Sequence, residues 1–274
     1  MGTRTIFRLT FQEARRRRLV LAVTLMGGLF LVLFTIGFYF VHRHARFSLV
    51  GQRPEFMNFF LMVGMYVVNF LVAMLTVLAS VDCIAGEINS GTIQTIVTKP
   101  VRRWQVVLGK WLGLASMMAI FVVVMSGAMM AIVWAIGHYL APHPLEGIAL
   151  MILEGLVLLT LSILGGTRLS TLANGVVVFM AFGLAFAAGW IEQIGDLLKS
   201  DTLGNISIVV SLIIPSEAMW RRAAYLMQPP FLRQLGFGPF AGNAAPSGVM
   251  VVWASLYILV GLGAAIVLFR KRDL

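Results

Sequence analysis

Residues 111–136 read WLGLASMMAIFVVVMSGAMMAIVWAI, with no charged side chain from Trp111 to Ile136. About 20 mostly apolar residues suffice for a helix to cross roughly 30 Å of hydrocarbon, and this stretch exceeds that. Lys110 and Trp111 mark its entrance, and both residue types suit a membrane interface. Working outward, five further segments meet the same test: Leu19–Val41, Phe56–Val81, Gly147–Gly166, Leu169–Ile191 and Ser247–Phe269. Among the six, only Gly147–Gly166 carries a charge, Glu154. Short strands of alternating polarity, the mark of an outer-membrane barrel, are absent. The expected fold class is therefore an all-α integral membrane protein of six transmembrane helices, a single domain over residues 1–274. The first span is too long for a signal-peptide core and no small-residue cleavage site follows it, so it is expected to stay attached.

Composition agrees with this reading. The chain is 59% hydrophobic and 12% charged, with mean hydropathy +0.92, whereas a soluble domain carries about 25% charged residues. Its net charge of +10 does not point to nucleic acid, which calls for a folded basic face with exposed aromatics. Here the cations flank apolar runs, as the positive-inside rule describes. With the N-terminus inside, the inner segments carry twice as many Lys and Arg residues as the outer ones, and Arg15–Arg18 stand directly before the first span. Both termini are expected in the cytoplasm, and the membrane is expected to be the plasma or inner membrane.

Two segments outside the spans have internal pattern. Ile6, Phe7, Thr10, Phe11 and Ala14 fall on one helical face flanked by Arg4, Arg8, Arg15 and Arg18, the pattern of an interface helix lying on the bilayer. The outer segment 192–246 contains the apolar run Ile206–Ile214, whose nine residues reach only about 13 Å as a helix. It cannot cross, and reads as a re-entrant or interfacial helix ended by Pro215. Phe231–Ala245, rich in Gly, Pro and Ala, reads as a loop leading to the last span.

Several chemistries are excluded. No Gly-rich loop ending in Gly-Lys-Ser/Thr occurs, so the chain is not expected to bind ATP in the P-loop manner or to be an enzyme, and no cofactor is expected. The single cysteine, Cys83, rules out an internal disulfide framework. His42, His44, His138 and His143 all fall in outer segments without a completing carboxylate or thiol pattern, so no metal site is expected. No span contains a histidine, which removes an intramembrane serine protease. Met117, Met118, Met125, Met129 and Met130 crowd the third span. Thioethers suit Cu(I), but these positions face different sides of the helix, so adaptable core packing is the better account.

Three features remain as candidate sites. Glu154 lies about 10 Å deep by helical rise. An intramembrane carboxylate is by default a functional hypothesis, and the alternative is a packing group hydrogen-bonded to Asn69 of the second span. Ala181, Ala185 and Gly189 repeat every four residues in the fifth span, with Ala188 beside them, so another helix can approach closely there. That helix belongs either to a second copy or to the same chain. The third feature is the inner segment 82–110, too long for a mere turn. Ile93, Ile96 and Val97 make an apolar stripe at helical spacing. Gly91 breaks the preceding helix, Thr92 can cap the new one, and Pro100 ends it. A short amphipathic helix held under the membrane is shaped to meet a cytoplasmic partner.

This segment resembles the first cytoplasmic segment of ABC-2 type permeases, the transmembrane subunits of a class of ABC exporters. Their pattern of Glu, Thr-aliphatic, Pro-aliphatic-x-Arg and Gly-Lys is met by Glu87, Thr92-Ile93, Pro100-Val101-Arg102-Arg103 and Gly109-Lys110. The basic N-terminal helix with Glu13 and the Arg270-Lys271-Arg272-Asp273 tail also look like this family. The resemblance implies a permease subunit that moves an unidentified substrate and docks a separate ABC ATPase, which would bind the ATP. It further implies pairing with a second permease copy, as a homodimer or heterodimer. Glu87, Gly91, Thr92, Ile93, Ile96, Pro100, Arg103 and Lys110 would then carry coupling to the ATPase, with Glu87 anchoring the helix and Arg103 its candidate partner within the chain. Two other readings of the residues stay open: a non-transporting anchor or sensor that docks a partner through the same segment, and an intramembrane enzyme using Glu154.

Overall fold

The apolar runs form long, uninterrupted helices in the computed structural model, which describes residues 2–45, 54–89, 102–198, 200–230 and 246–271. In chain order the helices are α1 (Thr3–Arg16), α2 (Arg18–Ala45), α3 (Pro54–Asn89), α4 (Arg103–Gly137), α5 (Pro144–Gly166), α6 (Thr171–Leu198), α7 (Asp201–Ile213), α8 (Ser216–Leu226) and α9 (Gly248–Arg270). Among the described residues there is no strand. Six helices among the described residues are long and apolar enough to cross a membrane: α2, α3, α4, α5, α6 and α9. Pro54 and Pro144 open α3 and α5, where a fixed φ and a missing N–H cost nothing. The turn between α4 and α5 is made by two histidines with left-handed backbone, His138 at φ 50° and His143 at φ 45°.

α3 and α5 are the centre of the bundle, with 67% and 61% of their apolar windows buried, against 17% for α2 and 22% for α9 at the periphery. Within lipid, close packing and hydrogen bonds hold helices together, because the tails are as apolar as leucine. Methionines supply much of that packing here. Met118 lies over Gly155, and Met129 over Gly64, so closely that an added Cβ would stand 2.7 Å from the thioether in each case. Met65, Met118, Met129 and Met151 are all at most 1% exposed.

Three features extend or correct the sequence reading. α3 has 36 residues and α4 has 35, about 50 Å each at 1.5 Å per residue, so both project well past the hydrocarbon. Residues 82–89 and 103–110 are therefore helical extensions of the second and third spans rather than parts of a free segment. Second, the expected re-entrant helix ended by Pro215 is present, as one arm of a bent pair: α7 and α8 meet at 109° across Ile214 and Pro215. α8 itself was not expected, and its Trp220, Ala223 and Ala224 are buried. Third, Ala181 and Ala185 pack with Ile214 of that bend and with Leu161 of α5, while Gly189 lies against Glu217. This small-residue stripe closes on the chain's own helices instead of standing open to a second copy. The predicted loop Phe231–Ala245 lies outside the described residues.

Candidate functional site

The start of α2, the end of α3, the start of α4, the start of α6 and the end of α9 gather at one end of the bundle, which also carries most of the arginines. α1 is held there by glycines. A Cβ on Gly109 would sit 2.8 Å from Ile6, and one on Gly113 would sit 3.0 Å from Thr10 and 3.1 Å from the Phe7 carbonyl. Gly109 and Gly113 are one helical turn apart, so their missing side chains form a trough on α4 in which the apolar face of α1 lies.

Lys110 stands between these two glycines and points the other way, into the protein. It is 3% exposed, forms an ion pair with Glu87 and donates from Nζ to the Cys83 carbonyl at 2.9 Å. The last turn of α3 and the first turns of α4 are thereby clamped. Arg103 donates from Nη1 to the Arg270 carbonyl at 2.9 Å, which ties the end of α9 to the start of α4. The Arg102 backbone N–H donates to the Gln105 side chain at 3.2 Å, a cap on α4. On the other side, Arg17 bonds Glu13 at 2.8 Å and stands 3.6 Å from Asp82. Asp82 in turn accepts from the Thr171 hydroxyl at 3.2 Å. Charged side chains thus tie α3 to α4 and α4 to α9, while the end of α5 is held by a neutral group, Asn174 Nδ2 donating to the Ser162 carbonyl at 2.9 Å.

Of the expected coupling residues, Glu87, Arg103 and Lys110 come together at this junction. Glu87 pairs with Lys110, while Arg103 serves the end of α9. Gly91, Thr92, Ile93, Ile96 and Pro100 lie outside the described residues. The chain leaves the junction at Asn89 and re-enters at Arg102.

Deeper in the bundle the expected pair meets: Asn69 Nδ2 donates to Glu154 Oε1 at 3.1 Å. Glu154 is 1% exposed, and its Oε2 has no hydrogen-bond partner among the described residues. Towards the opposite end the sequence reading missed a buried charged group. Glu192 of α6 pairs with Arg221 of α8 and accepts from Ser207 of α7. Glu217, one turn before Arg221, is 6% exposed. The signal available in the sequence was the pair Glu217 and Arg221 at helical spacing after Pro215. Asn58 holds the end of the same hairpin, donating to the Met227 carbonyl at 2.9 Å.

The profile of the ABC-2 family transporter proteins matches residues 4–274. The chain belongs to this ABC-2 transporter family. It is thus a multi-pass membrane protein and a membrane component of transport, of a family whose permeases generally work with an ABC ATPase. No curated protein matches the chain.

Proposed function

We propose that this chain is the permease subunit of an ATP-driven exporter in the cytoplasmic membrane, with both termini inside. A separate ABC ATPase binds and hydrolyses the ATP, and the chain itself takes no cofactor. Two permease copies, identical or related, form the path between them. Since the Ala181, Ala185 and Gly189 stripe is filled within the chain, the copies meet through another face.

The observation that carries this reading is the junction itself. Segment 82–110 leaves and rejoins the bundle through two helix ends locked by Lys110 and Glu87, with α1 and α9 tied to the same point. A docked ATPase that displaced this segment would move four helices together. Glu87 and Lys110 transmit that displacement, whereas Ile93 and Ile96 supply the apolar face that the ATPase contacts. Glu154 with Asn69 is a packing pair in this account, not a catalytic one.

Co-expression with an ABC ATPase subunit followed by affinity purification tests the reading. The wild-type chain should retain the ATPase, and the double variant Ile93→Asp, Ile96→Asp should lose it while keeping its melting temperature. Retention by that variant as strong as by wild type would count against the docking surface.

A further inference from the structure

At the arginine-rich end a groove of about 760 Å³ opens between α2 and α6, with α3 as its floor. That size falls within the roughly 300–1,000 Å³ typical of ligand pockets. Its walls are apolar: Leu19 from α2, Val77 and Leu78 from α3, Leu172, Val176 and Phe179 from α6. Leu19, Leu172 and Val176 are 54%, 80% and 50% exposed, so the chain leaves these walls uncovered. Gly175 widens the slot, because a Cβ there would meet only the Val81 methyls, at 3.5 and 3.7 Å.

The rim carries both signs of charge. Glu13, Arg17, Arg18 and Asp82 all border the groove. Arg17 is shared by two carboxylates, Glu13 at 2.8 Å and Asp82 at 3.6 Å, whose side chains are 53% and 52% exposed. One guanidinium therefore faces two carboxylates, and that trio keeps a negative excess. Arg18 is exposed and has no ion-pair or hydrogen-bond partner among the described residues. It also opens α2, where the helix dipole favours an anion. A rim with one unused cation beside a negative excess is complementary to a zwitterion, and the slot below it is complementary to a hydrocarbon chain.

We propose that this groove binds a phospholipid with a primary-ammonium headgroup, such as phosphatidylethanolamine. Its phosphate meets Arg18, its ammonium meets Glu13 and Asp82, and an acyl chain lies between α2 and α6. In the orientation proposed above the lipid comes from the cytoplasmic leaflet. A purely anionic headgroup would face the two carboxylates, and a quaternary ammonium offers them no N–H donor. The proposal concerns a resident lipid and does not depend on which cargo is moved.

The test uses the full-length permease in its ATPase complex, placed in nanodiscs with spin-labelled phosphatidylethanolamine, phosphatidylcholine or phosphatidylglycerol. The fraction of motionally restricted lipid is read for each. Wild type should favour phosphatidylethanolamine over phosphatidylcholine by up to about fivefold, the range of an exposed ion pair. The double variant Glu13→Gln, Asp82→Asn should lose that preference, and Arg18→Gln should weaken retention of all three lipids. Gly175→Leu, which fills the slot without a backbone clash, should abolish the phosphatidylethanolamine preference and keeps the test decisive should the double variant fail to fold. Preferential retention of phosphatidylglycerol would overturn the proposal in favour of general attraction to the basic run. A phosphatidylethanolamine preference unchanged in Gly175→Leu would overturn it too. So would efficient disulfide linkage between copies carrying Leu172→Cys in a Cys83→Ser background, because a second copy would then fill the groove.

Discussion

Lys110 shows how one residue can serve both the spans and the segment beneath them. A lysine at 3% exposure is tolerated because Glu87 and the Cys83 carbonyl both receive it. Breaking a buried pair from one side costs about 3–5 kcal/mol. Because Glu87 retains 16% side-chain exposure, the low end of that range is expected for Lys110→Ala. The double variant Lys110→Met, Glu87→Gln removes both charges and should return to within about 1 kcal/mol of wild type, since replacing a buried pair by uncharged groups of similar size is often neutral. Thermal unfolding in detergent checks both values; equal losses in the two variants would refute the pairing. Glu154 invites a second comparison. Glu154→Gln keeps an acceptor for the Asn69 amide and should preserve both fold and transport. Glu154→Leu strands that amide and should cost about 1–3 kcal/mol. Loss of transport in a normally folded Glu154→Gln protein would assign the carboxylate a role in the transport path instead.

Among the elements, the association of α1 with α4 is the most exposed to a single change. Because Gly109 and Gly113 let Ile6 and Thr10 approach the α4 backbone, Gly113→Leu should eject α1. Hydrogen exchange over residues 3–16 should then rise at least tenfold while exchange in α5 stays unchanged; unaltered protection would show that the trough is dispensable. The apolar face of α1 was legible in the sequence, since Ile6, Phe7, Thr10, Phe11 and Ala14 recur at helical spacing. Its seat was legible too, as Gly-Lys-Trp-Leu-Gly at 109–113, although the reading stopped at Lys110 as an interface marker. The spans were legible because charge-free runs of this length have few alternatives. Their ends were not, because polar residues such as Glu87 and Lys110 continue a helix as readily as they leave it when each neutralises the other. The bend at Pro215 was legible from the proline, but α8 was not. Its sequence Ser216–Leu226 contains Glu217, Arg221 and Arg222 and reads as solvent-exposed, until Glu192 and the Pro246 carbonyl supply partners. The small-residue stripe of α6 identified a close helix contact without identifying the helix, and that ambiguity is intrinsic to a pattern that records only the absence of side chains.

At the scale of the whole molecule, both described ends of the chain lie together, as an even number of spans requires. In the orientation proposed above, the arginine-rich end faces the cytoplasm, as the positive-inside rule expects. In a Cys83→Ser background, a cysteine at Ala244 should react with an impermeant thiol reagent added outside intact cells, and one at Ser90 should not; the reverse pattern would invert the orientation. In the proposed function an ATPase works on these spans through segment 82–110. The most direct measurement is the ATP hydrolysis rate of the ABC ATPase subunit in lipid vesicles, alone, with the wild-type permease, and with the Ile93→Asp, Ile96→Asp permease. Wild type should change the rate several-fold, and the variant should leave it at the value of the ATPase alone. A rate that is the same in all three preparations would contradict the account.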